Sequence, residues 1–191
     1  MSSIPRLILA SNSPRRKQLL SELGYEFTVR TCPVDEDFPD DMPAGEVAEF
    51  LARKKNKANR AIASENEVAI TADTVVIRGQ DILNKPADAQ EAYDMIKSLS
   101  GRSHEVVTGV CISDSEQSKS FSVKTVVHFA ELTDDEIHHY INVARPFDKA
   151  GAYGIQEWIG MIGVTRIEGS YSNVVGLPTR EVYEGLRDFM P

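Results

Sequence analysis

The chain has 191 residues, of which 41% are hydrophobic and 26% charged, as expected for one soluble globular domain or two closely joined lobes. A formal net charge of −8 argues against a protein that coats nucleic acid or a membrane surface. The cysteines form no CxxC pattern, the histidines lack metal-ligand spacing, and no apolar run has the length of a signal peptide or a membrane span. We therefore expect a cytoplasmic protein that binds neither nucleic acid nor membrane.

Strand-like and helix-like segments alternate through the first half of the chain, which predicts an α/β fold. A short apolar strand precedes a helix that begins with proline and ends at glycine, and a second strand and an acidic loop lead to a longer helix. A strand pair around an Arg-Gly-Gln turn and another helix follow. The predicted ranges are strands at 6–10 and 25–31, helices at 14–23, 45–64 and 87–99, and the strand pair within 67–83.

The second half begins with two strand-like segments joined by a polar turn, which we expect to be antiparallel. Thr133 and Glu136 have the spacing of a capping box, so a helix is predicted from there to a residue before Pro146. One more strand within 161–169 and a closing helix at 178–189 complete the prediction. No repeat, low-complexity tract or linker interrupts the sequence, so residues 1–191 are predicted to form a single domain.

The first strand ends in a bend, Ser-Asn-Ser-Pro-Arg-Arg, that has the features of a phosphate-binding site. Ser11 and its neighbours offer hydroxyl, amide and backbone N–H groups just before a helix begins, where unpaired N–H groups and the helix dipole favour an anion. Arg15 and Arg16 add two guanidinium groups suited to phosphate oxygens. The alternative is that Ser13 only caps the helix and the arginines are solvated. Neither a P-loop nor a dinucleotide-binding fingerprint is present.

Asp73 interrupts a segment that otherwise reads as a buried strand. A carboxylate in that position is costly unless it is paired, hydrogen-bonded or bound to a metal. Lys85 follows twelve residues later, directly before Pro86, where the chain favours an extended loop conformation. Taken alone, Lys85 would be an ordinary surface lysine, and Asp73 could simply form a hydrogen bond at the end of a strand.

The helix predicted at 45–64 carries two adjacent lysines near its apolar stripe. Periodicity slightly favours Lys54 over Lys55 as the lysine on that stripe, where a cation can extend to solvent or reach into a site. The loop before the helix offers Asp35, Glu36 and Asp37. Carboxylates and lysines together suit a divalent cation that holds a polyphosphate, although a solvated acidic loop is an equally reasonable interpretation.

Eight short motifs occur in the order found in the Maf family of nucleotide pyrophosphatases, and the sequence resembles that family from about residue 6 to residue 189. The motifs are LILASNSPRR, VDED, LARKKNKA, TADTVV, NKP, LSGRSHEVVTGV, DKAGAYGIQ and SYSNVVGLP. The resemblance implies a fold similar to that of inosine triphosphate pyrophosphatases. Such a fold is an elongated α/β body around a mixed sheet with flanking helices, with the nucleotide in a cleft between two lobes.

The resemblance also assigns roles to individual residues. Asp73 matches the family's catalytic carboxylate, usually taken as the proton acceptor, and Glu36 matches an acid that binds metal or water. Asp73 and Glu36 would together hold a divalent ion, Mg²⁺ or Mn²⁺. The remaining matches are the catalytic lysines Lys55 and Lys85, and the phosphate-loop residues Ser11, Arg15 and Arg16. The choice of Lys55 goes against the periodicity, which favours Lys54.

Three positions follow the division of the family by substrate. Arg15, Thr74 and Gln156 resemble the subgroup that acts on dTTP and UTP, whereas a subgroup acting on 7-methyl-GTP carries a tryptophan in the SPRR loop. The amide of Gln156 can pair with the edge of a pyrimidine, and no tryptophan in that loop is available to stack on a cationic purine. Thr71 and Asn84 depart from the common pattern beside the motifs and could tune base preference.

The resemblance therefore implies hydrolysis of dTTP and UTP, and of modified pyrimidine nucleotides, to the monophosphate and pyrophosphate. Asp73 would act as the general base beside a divalent metal ion. Two alternatives stay open: a 7-methyl-GTP or broad-specificity pyrophosphatase, and a nucleotide-binding regulator of septum formation. Family precedent also suggests a homodimer, in which Trp158 could either lie at the interface or close the base pocket.

Overall fold

The structure is a computed structural model that describes residues 5–190. Its strands are β1 Arg6–Leu9, β2 Thr28–Val29, β3 Glu67–Arg78, β4 Asp81–Leu83, β5 Ser103–Ser113, β6 Ser118–Phe129 and β7 Val164–Glu168. Its helices are α1 Pro14–Glu22, α2 Ala44–Arg60, α3 Ala89–Leu99, α4 Asp134–Ala144, α5 Trp158–Gly163, α6 Tyr171–Val175 and α7 Thr179–Leu186. A 3₁₀ turn covers Ala150–Ala152.

The strands form one mixed sheet in the order β2-β1-β3-β5-β6-β7, with β4 paired to β3. Strand β1 runs parallel to both β2 and β3, whereas β3 and β4, and likewise β6 and β7, are antiparallel. This arrangement confirms the predicted mixed-sheet α/β class. Within the described part of the chain, no helix is both long enough and apolar enough to cross a lipid bilayer.

Most predicted elements are present, and four predicted boundaries are wrong. The closing helix expected at 178–189 ends at Leu186, because residues 187–189 form a turn. The strand expected at 25–31 contains only Thr28–Val29, both exposed. Helix α2 ends at Arg60 instead of residue 64, because the following residues form an exposed turn. Residues 161–163, expected to begin a strand, belong to helix α5. The capping box of Thr133 and Glu136 is confirmed at the start of α4. The antiparallel orientation of β5 and β6 stays a prediction.

The chain divides into two compact units, and the first comprises residues 5–73, 108–123 and 176–190 of the described chain. Its core joins the apolar faces of β1, β3 and β5 to helices α1 and α7. The buried members include Leu7, Leu9, Leu20, Ile70, Val110, Ile112, Val182 and Leu186. The parallel pairing of Leu9 with Ile70 aligns the ends of β1 and β3 inside this unit.

The second unit comprises residues 74–107 and 124–175 and has a separate core. Helices α3 and α4 contribute Ile96, Leu99, Ile137 and Tyr140 to it, and further members are Val127, Phe129, Tyr153 and Ile159. A buried histidine, His104, lies against this core with its Nε2 2.7 Å from the Tyr153 hydroxyl. Burial lowers the pKa of His104 to about 4, so the ring is neutral at pH 7.

A buried carboxylate, Glu67, anchors the start of β3 in the first unit. It pairs with Arg6 and with Arg30, the latter at 2.7 Å, and accepts the Ser64 backbone N–H at 3.1 Å. Burial alone would raise the pKa of Glu67, but these hydrogen bonds outweigh burial and lower the pKa to about 2. The folded carboxylate therefore contributes stability above pH 4.5, and this contribution is lost as the pH falls from 4.5 to about 2.

Glu67→Gln should reduce the free energy of unfolding at pH 7 by about 2 kcal/mol, less than the full pKa shift implies because Arg6 is solvent-exposed and screened. The matched control Glu26→Gln removes an exposed carboxylate and should have little effect. Urea unfolding at pH 7 and at pH 3 measures both variants. The cost of Glu67→Gln should be smaller at pH 3, and an equal cost at both pH values would contradict this account.

Candidate functional site

The bend between β1 and α1 forms an ordered turn rather than a solvated loop. Ser13 caps α1 by accepting the Arg16 backbone N–H at 3.4 Å, and Pro14 occupies the first turn of the helix. Ser11 is buried, and its hydroxyl oxygen accepts the Ser13 N–H at 3.2 Å and Arg16 Nη1 at 3.3 Å. The alternative interpretation is therefore correct for Ser13, which caps the helix, but not for Arg16, whose guanidinium group bonds within the turn.

The parallel register of β1 and β3 brings this bend close to Asp73. Leu9 lies opposite Ile70, and the Ala10 N–H donates to the Ile70 carbonyl at 2.8 Å. Because both strands run in the same direction, the residues just after β1 lie beside the residues just after Ile70. The sheet thereby places a cation-rich turn and the Asp73 carboxylate at the same position in the first unit.

Lys55 links Asp73 to the acidic loop. Its Nζ donates to Glu36 Oε1 at 2.7 Å and also to Asp73 Oδ1. The side chain of Asp73 is 14% exposed and that of Lys55 is 18% exposed, so both are largely shielded, whereas the Glu36 side chain is 51% exposed. The two carboxylates contact one ammonium nitrogen, and therefore they lie close together at the surface of a partly enclosed site.

The structure brings Lys55, and not Lys54, to these carboxylates. Lys54 Nζ instead donates to the backbone oxygen of Asp37 at 3.0 Å. The buried positions of α2 include Ala52, Asn56 and Asn59, none of which belongs to the apolar stripe expected from the sequence. This burial rotates the helix so that Lys55, three residues after Ala52, faces the site.

Arg16 is held in place by a second segment of the chain. Its Nε donates to the Gly176 carbonyl at 2.8 Å, and Gly176 has a φ of 128°, a conformation that favours glycine. Burial lowers the pKa of Arg16, whereas attraction to Asp73 and Glu36 raises it. The nearby positive charge of Arg15 lowers this pKa further. The motif SYSNVVGLP thus orients a guanidinium group, a role that its sequence did not indicate.

The acidic side chains of this site could share a divalent cation with a phosphorylated ligand. Among residues 5–190, no group of three or more His, Cys, Asp and Glu side chains is arranged to hold a metal by itself. Mg²⁺ is usually bound through one or two carboxylates together with phosphate oxygens of the substrate. Glu36 and Asp73, which both contact Lys55, could supply the two hard oxygen donors of such a site.

Three of the predicted site residues belong to the second unit. Thr74 is half-buried in β3, Lys85 is exposed between β4 and α3, and Gln156 is exposed just before α5. Asn84, next to Lys85, accepts the Gly151 N–H at 3.2 Å. The other six predicted residues, Ser11, Arg15, Arg16, Glu36, Lys55 and Asp73, belong to the first unit.

A polar network that the sequence did not reveal braces the segment carrying Gln156. Glu157 accepts from the Tyr140 hydroxyl and pairs with Lys149 at 3.1 Å. The Gly154 N–H donates to the Tyr140 oxygen at 3.0 Å, and a Cβ at Gly154 would approach the Glu157 carboxyl carbon to 2.7 Å. Burial, followed by the Glu157 hydrogen bond, raises the pKa of Tyr140, which therefore remains a donor.

Comparisons with known proteins agree with the motif pattern. The family model described as Maf-like protein matches residues 6–189. A dTTP/UTP pyrophosphatase of Bacteroides thetaiotaomicron is 48% identical over 183 residues, which cover 95% of each chain. A dTTP/UTP pyrophosphatase of Phocaeicola vulgatus is 49% identical over 183 residues, again with 95% of each chain covered.

Among solved structures, the Ham1 protein of Staphylococcus aureus is similar in fold. The comparison gives a TM-score of 0.51 and covers 96% of this chain and 98% of that chain. Sequence identity is only 14%, so the likeness concerns the fold alone. It supports the mixed-sheet α/β fold described above.

Proposed function

Because the chain belongs to the Maf family, we propose that it is a nucleoside triphosphate pyrophosphatase acting on dTTP and UTP, and on modified pyrimidine nucleotides. The products are the nucleoside monophosphate and pyrophosphate. The identity of 48–49% to dTTP/UTP pyrophosphatases over 95% of the chain supports this substrate class. The observation that carries the proposal is the contact of Lys55 with both Glu36 and Asp73 beside the charge of Arg16.

In the proposed reaction, Asp73 accepts a proton from the attacking water. The water oxygen bonds to phosphorus, the P–O bond that joins the α and β phosphates breaks, and pyrophosphate leaves with the electron pair of that bond. General-base assistance of this kind accelerates a reaction by about 10²–10⁴-fold. Lys55, which donates to the carboxylate, holds Asp73 in a fixed orientation for this step.

The remaining cations bind the triphosphate and neutralise charge that develops on the leaving group. We assign this role to Arg15, Arg16, Lys55 and Lys85, with the Ser11 hydroxyl as a further ligand. Glu36 and Asp73 would hold the divalent ion, Mg²⁺ or Mn²⁺, which supplies additional neutralisation of the phosphates when bound. The Gly176 contact of Arg16 reduces the entropy that this guanidinium loses on binding.

Base selection is assigned to Arg15, Thr74 and Gln156. The Gln156 amide can donate to and accept from the edge of a uracil or thymine ring. The network around Glu157 and Tyr140 supports this assignment, because it fixes the backbone next to an exposed amide.

We further propose that residues 1–191 act as one domain, in a cytoplasmic homodimer that binds no nucleic acid. A single family model spans residues 6–189, and the net charge of −8 is unfavourable for polynucleotide binding. Both cysteines are free, in keeping with a reducing compartment. We place the homodimer interface on large exposed apolar side chains of the second unit: Val143, Phe147, Trp158, Met161 and Ile162.

A substrate panel with product identification tests the proposal. The protein is incubated with dTTP, UTP, 7-methyl-GTP, dITP and ATP, with Mg²⁺, with Mn²⁺ or with EDTA, and pyrophosphate and orthophosphate are measured separately. We expect pyrophosphate release from dTTP and UTP that requires the metal. Faster turnover of 7-methyl-GTP than of dTTP and UTP would contradict the proposed base preference. Tight nucleotide binding without pyrophosphate release would favour a regulatory protein.

A further inference from the structure

A pocket separate from the candidate functional site lies in the first unit, on α2 and the neighbouring strands β5 and β6. Its volume is about 310 Å³, at the lower end of the range of roughly 300–1,000 Å³ typical of small-molecule sites. Four side chains of α2 line it, and Cys111, Ser118 and Ser120 complete the wall. None of the residues assigned to substrate binding or catalysis lies among them.

Three cations line this pocket from one face of α2. At 3.6 residues per turn, Arg53, Lys57 and Arg60 fall within about 60° of one another around the helix axis. Lys55 projects from the opposite side of the same helix, roughly 170° away from their centre. The pocket and the candidate catalytic site therefore use opposite faces of α2.

Two of these cations are without an ion-pair partner among residues 5–190. Among residues 5–190, neither Arg53 nor Lys57 forms an ion pair or a side-chain hydrogen bond. Arg60 donates to the backbone oxygen of Ser115 at 3.1 Å and remains exposed. Clustered, unneutralised cations are unfavourable for the free protein, and a bound anion would relieve their mutual repulsion.

The remaining wall supplies neutral hydrogen-bonding groups. Asn56 is 2% exposed and donates to the Cys111 carbonyl at 3.4 Å. Burial raises the pKa of the Cys111 thiol to about 11, so the thiol adds no negative charge at pH 7. Glu49, which accepts from the Ser120 hydroxyl at 2.7 Å, is the carboxylate that contacts this wall. The lining residues themselves include three cations and no carboxylate, so the pocket wall is electropositive on a chain of net charge −8.

We propose that this pocket is a second anion site, which binds a phosphorylated small molecule independently of the candidate catalytic site. The guanidinium groups of two arginines and the ammonium group of a lysine can donate hydrogen bonds to phosphate oxygens, and the serine hydroxyls add neutral donors. A small ligand fits better than a polynucleotide, because the cations are confined to one pocket and the rest of the chain is acidic. This inference does not depend on the proposed pyrophosphatase activity.

Amide chemical shifts measured by NMR give a local test. Inorganic pyrophosphate and, separately, uridine monophosphate are titrated into the metal-free protein, with sodium chloride at matched ionic strength as a blank. The amides of Ser118 and Ser120 report this pocket, and those of residues 11–16 other than Pro14 report the candidate catalytic site. We expect saturable shifts at Ser118 and Ser120 with at least one of the two ligands. The ligand that binds more tightly shows whether free or organic phosphate is preferred.

Arg53→Gln/Lys57→Gln should weaken this binding about tenfold or more while leaving the shifts at residues 11–16 unchanged. The control Arg180→Gln/Arg187→Gln removes the same charge from α7 and its C-terminal end and should bind like the wild type. Absence of shifts at Ser118 and Ser120 up to ~10 mM ligand would overturn the proposal. Equal affinity in the double variant, or tighter binding of a single-stranded oligonucleotide at the same amides, would also overturn it.

Discussion

Asp73→Asn should lower kcat for dTTP hydrolysis by about 10²–10⁴-fold, because a carboxamide cannot accept a proton from water at neutral pH. The substitution preserves the shape of a side chain that is only 14% exposed, so the protein should still fold and bind the nucleotide. Single-turnover pyrophosphate release gives the rate of the chemical step, and calorimetry gives the dissociation constant for dTTP.

The matched control is Asp37→Asn, which makes the same chemical change in the acidic loop next to Glu36. The Asp37 side chain is exposed, and only its backbone oxygen receives the Lys54 ammonium. Its kcat should stay close to that of the wild type. Wild-type turnover by Asp73→Asn, in a protein whose circular dichroism is unchanged, would remove Asp73 from the role of general base.

Gly109→Ala should be the most damaging single-methyl change in the first unit. A Cβ at Gly109 of β5 would lie 2.2 Å from the Glu49 nitrogen and 2.3 Å from the Ala48 carbonyl carbon, both backbone atoms of α2. Backbone atoms cannot move aside as a side-chain end can, so α2 must shift away from the sheet. We expect a loss of about 3 kcal/mol or more in the free energy of unfolding, together with reduced kcat because α2 carries Lys55.

Gly45→Ala provides the control within the same helix. A Cβ at Gly45 meets nothing within 4 Å, and alanine favours the helical conformation by roughly 0.5–1 kcal/mol. This variant should be slightly more stable than the wild type in urea and fully active. If Gly109→Ala unfolded at the same urea concentration as the wild type, the close packing of α2 on β5 would be refuted.

Two parts of the candidate site were predictable from local patterns in the sequence. A strand that ends in Ser-Asn-Ser-Pro implied the capped start of α1, and the structure places the Ser13 cap there. A carboxylate inside an apolar strand implied that Asp73 needs a partner, and Lys55 is that partner. These inferences required only neighbours in sequence and the cost of burying charge.

Features that depend on tertiary packing were not predictable. Asn56 and Asn59 are polar but only 2% exposed on α2. A buried face inferred from apolar residues alone was therefore misplaced, and it favoured Lys54 over Lys55. The alternation of Tyr25 and Phe27 reflects packing against the first core rather than strand pairing, which is why β2 is only two residues long. The Glu157–Tyr140 network joins residues 17 positions apart, and no local pattern marks such a contact.

The most direct measurement is a crystal structure of the Asp73→Asn protein with dTTP and Mg²⁺. The substitution slows hydrolysis, so intact dTTP remains in the crystal. We predict that the triphosphate contacts Arg15 and Arg16, and that the phosphate groups joined by the cleaved bond lie next to the side chain at position 73. A triphosphate bound away from both arginines and from position 73 would contradict this prediction.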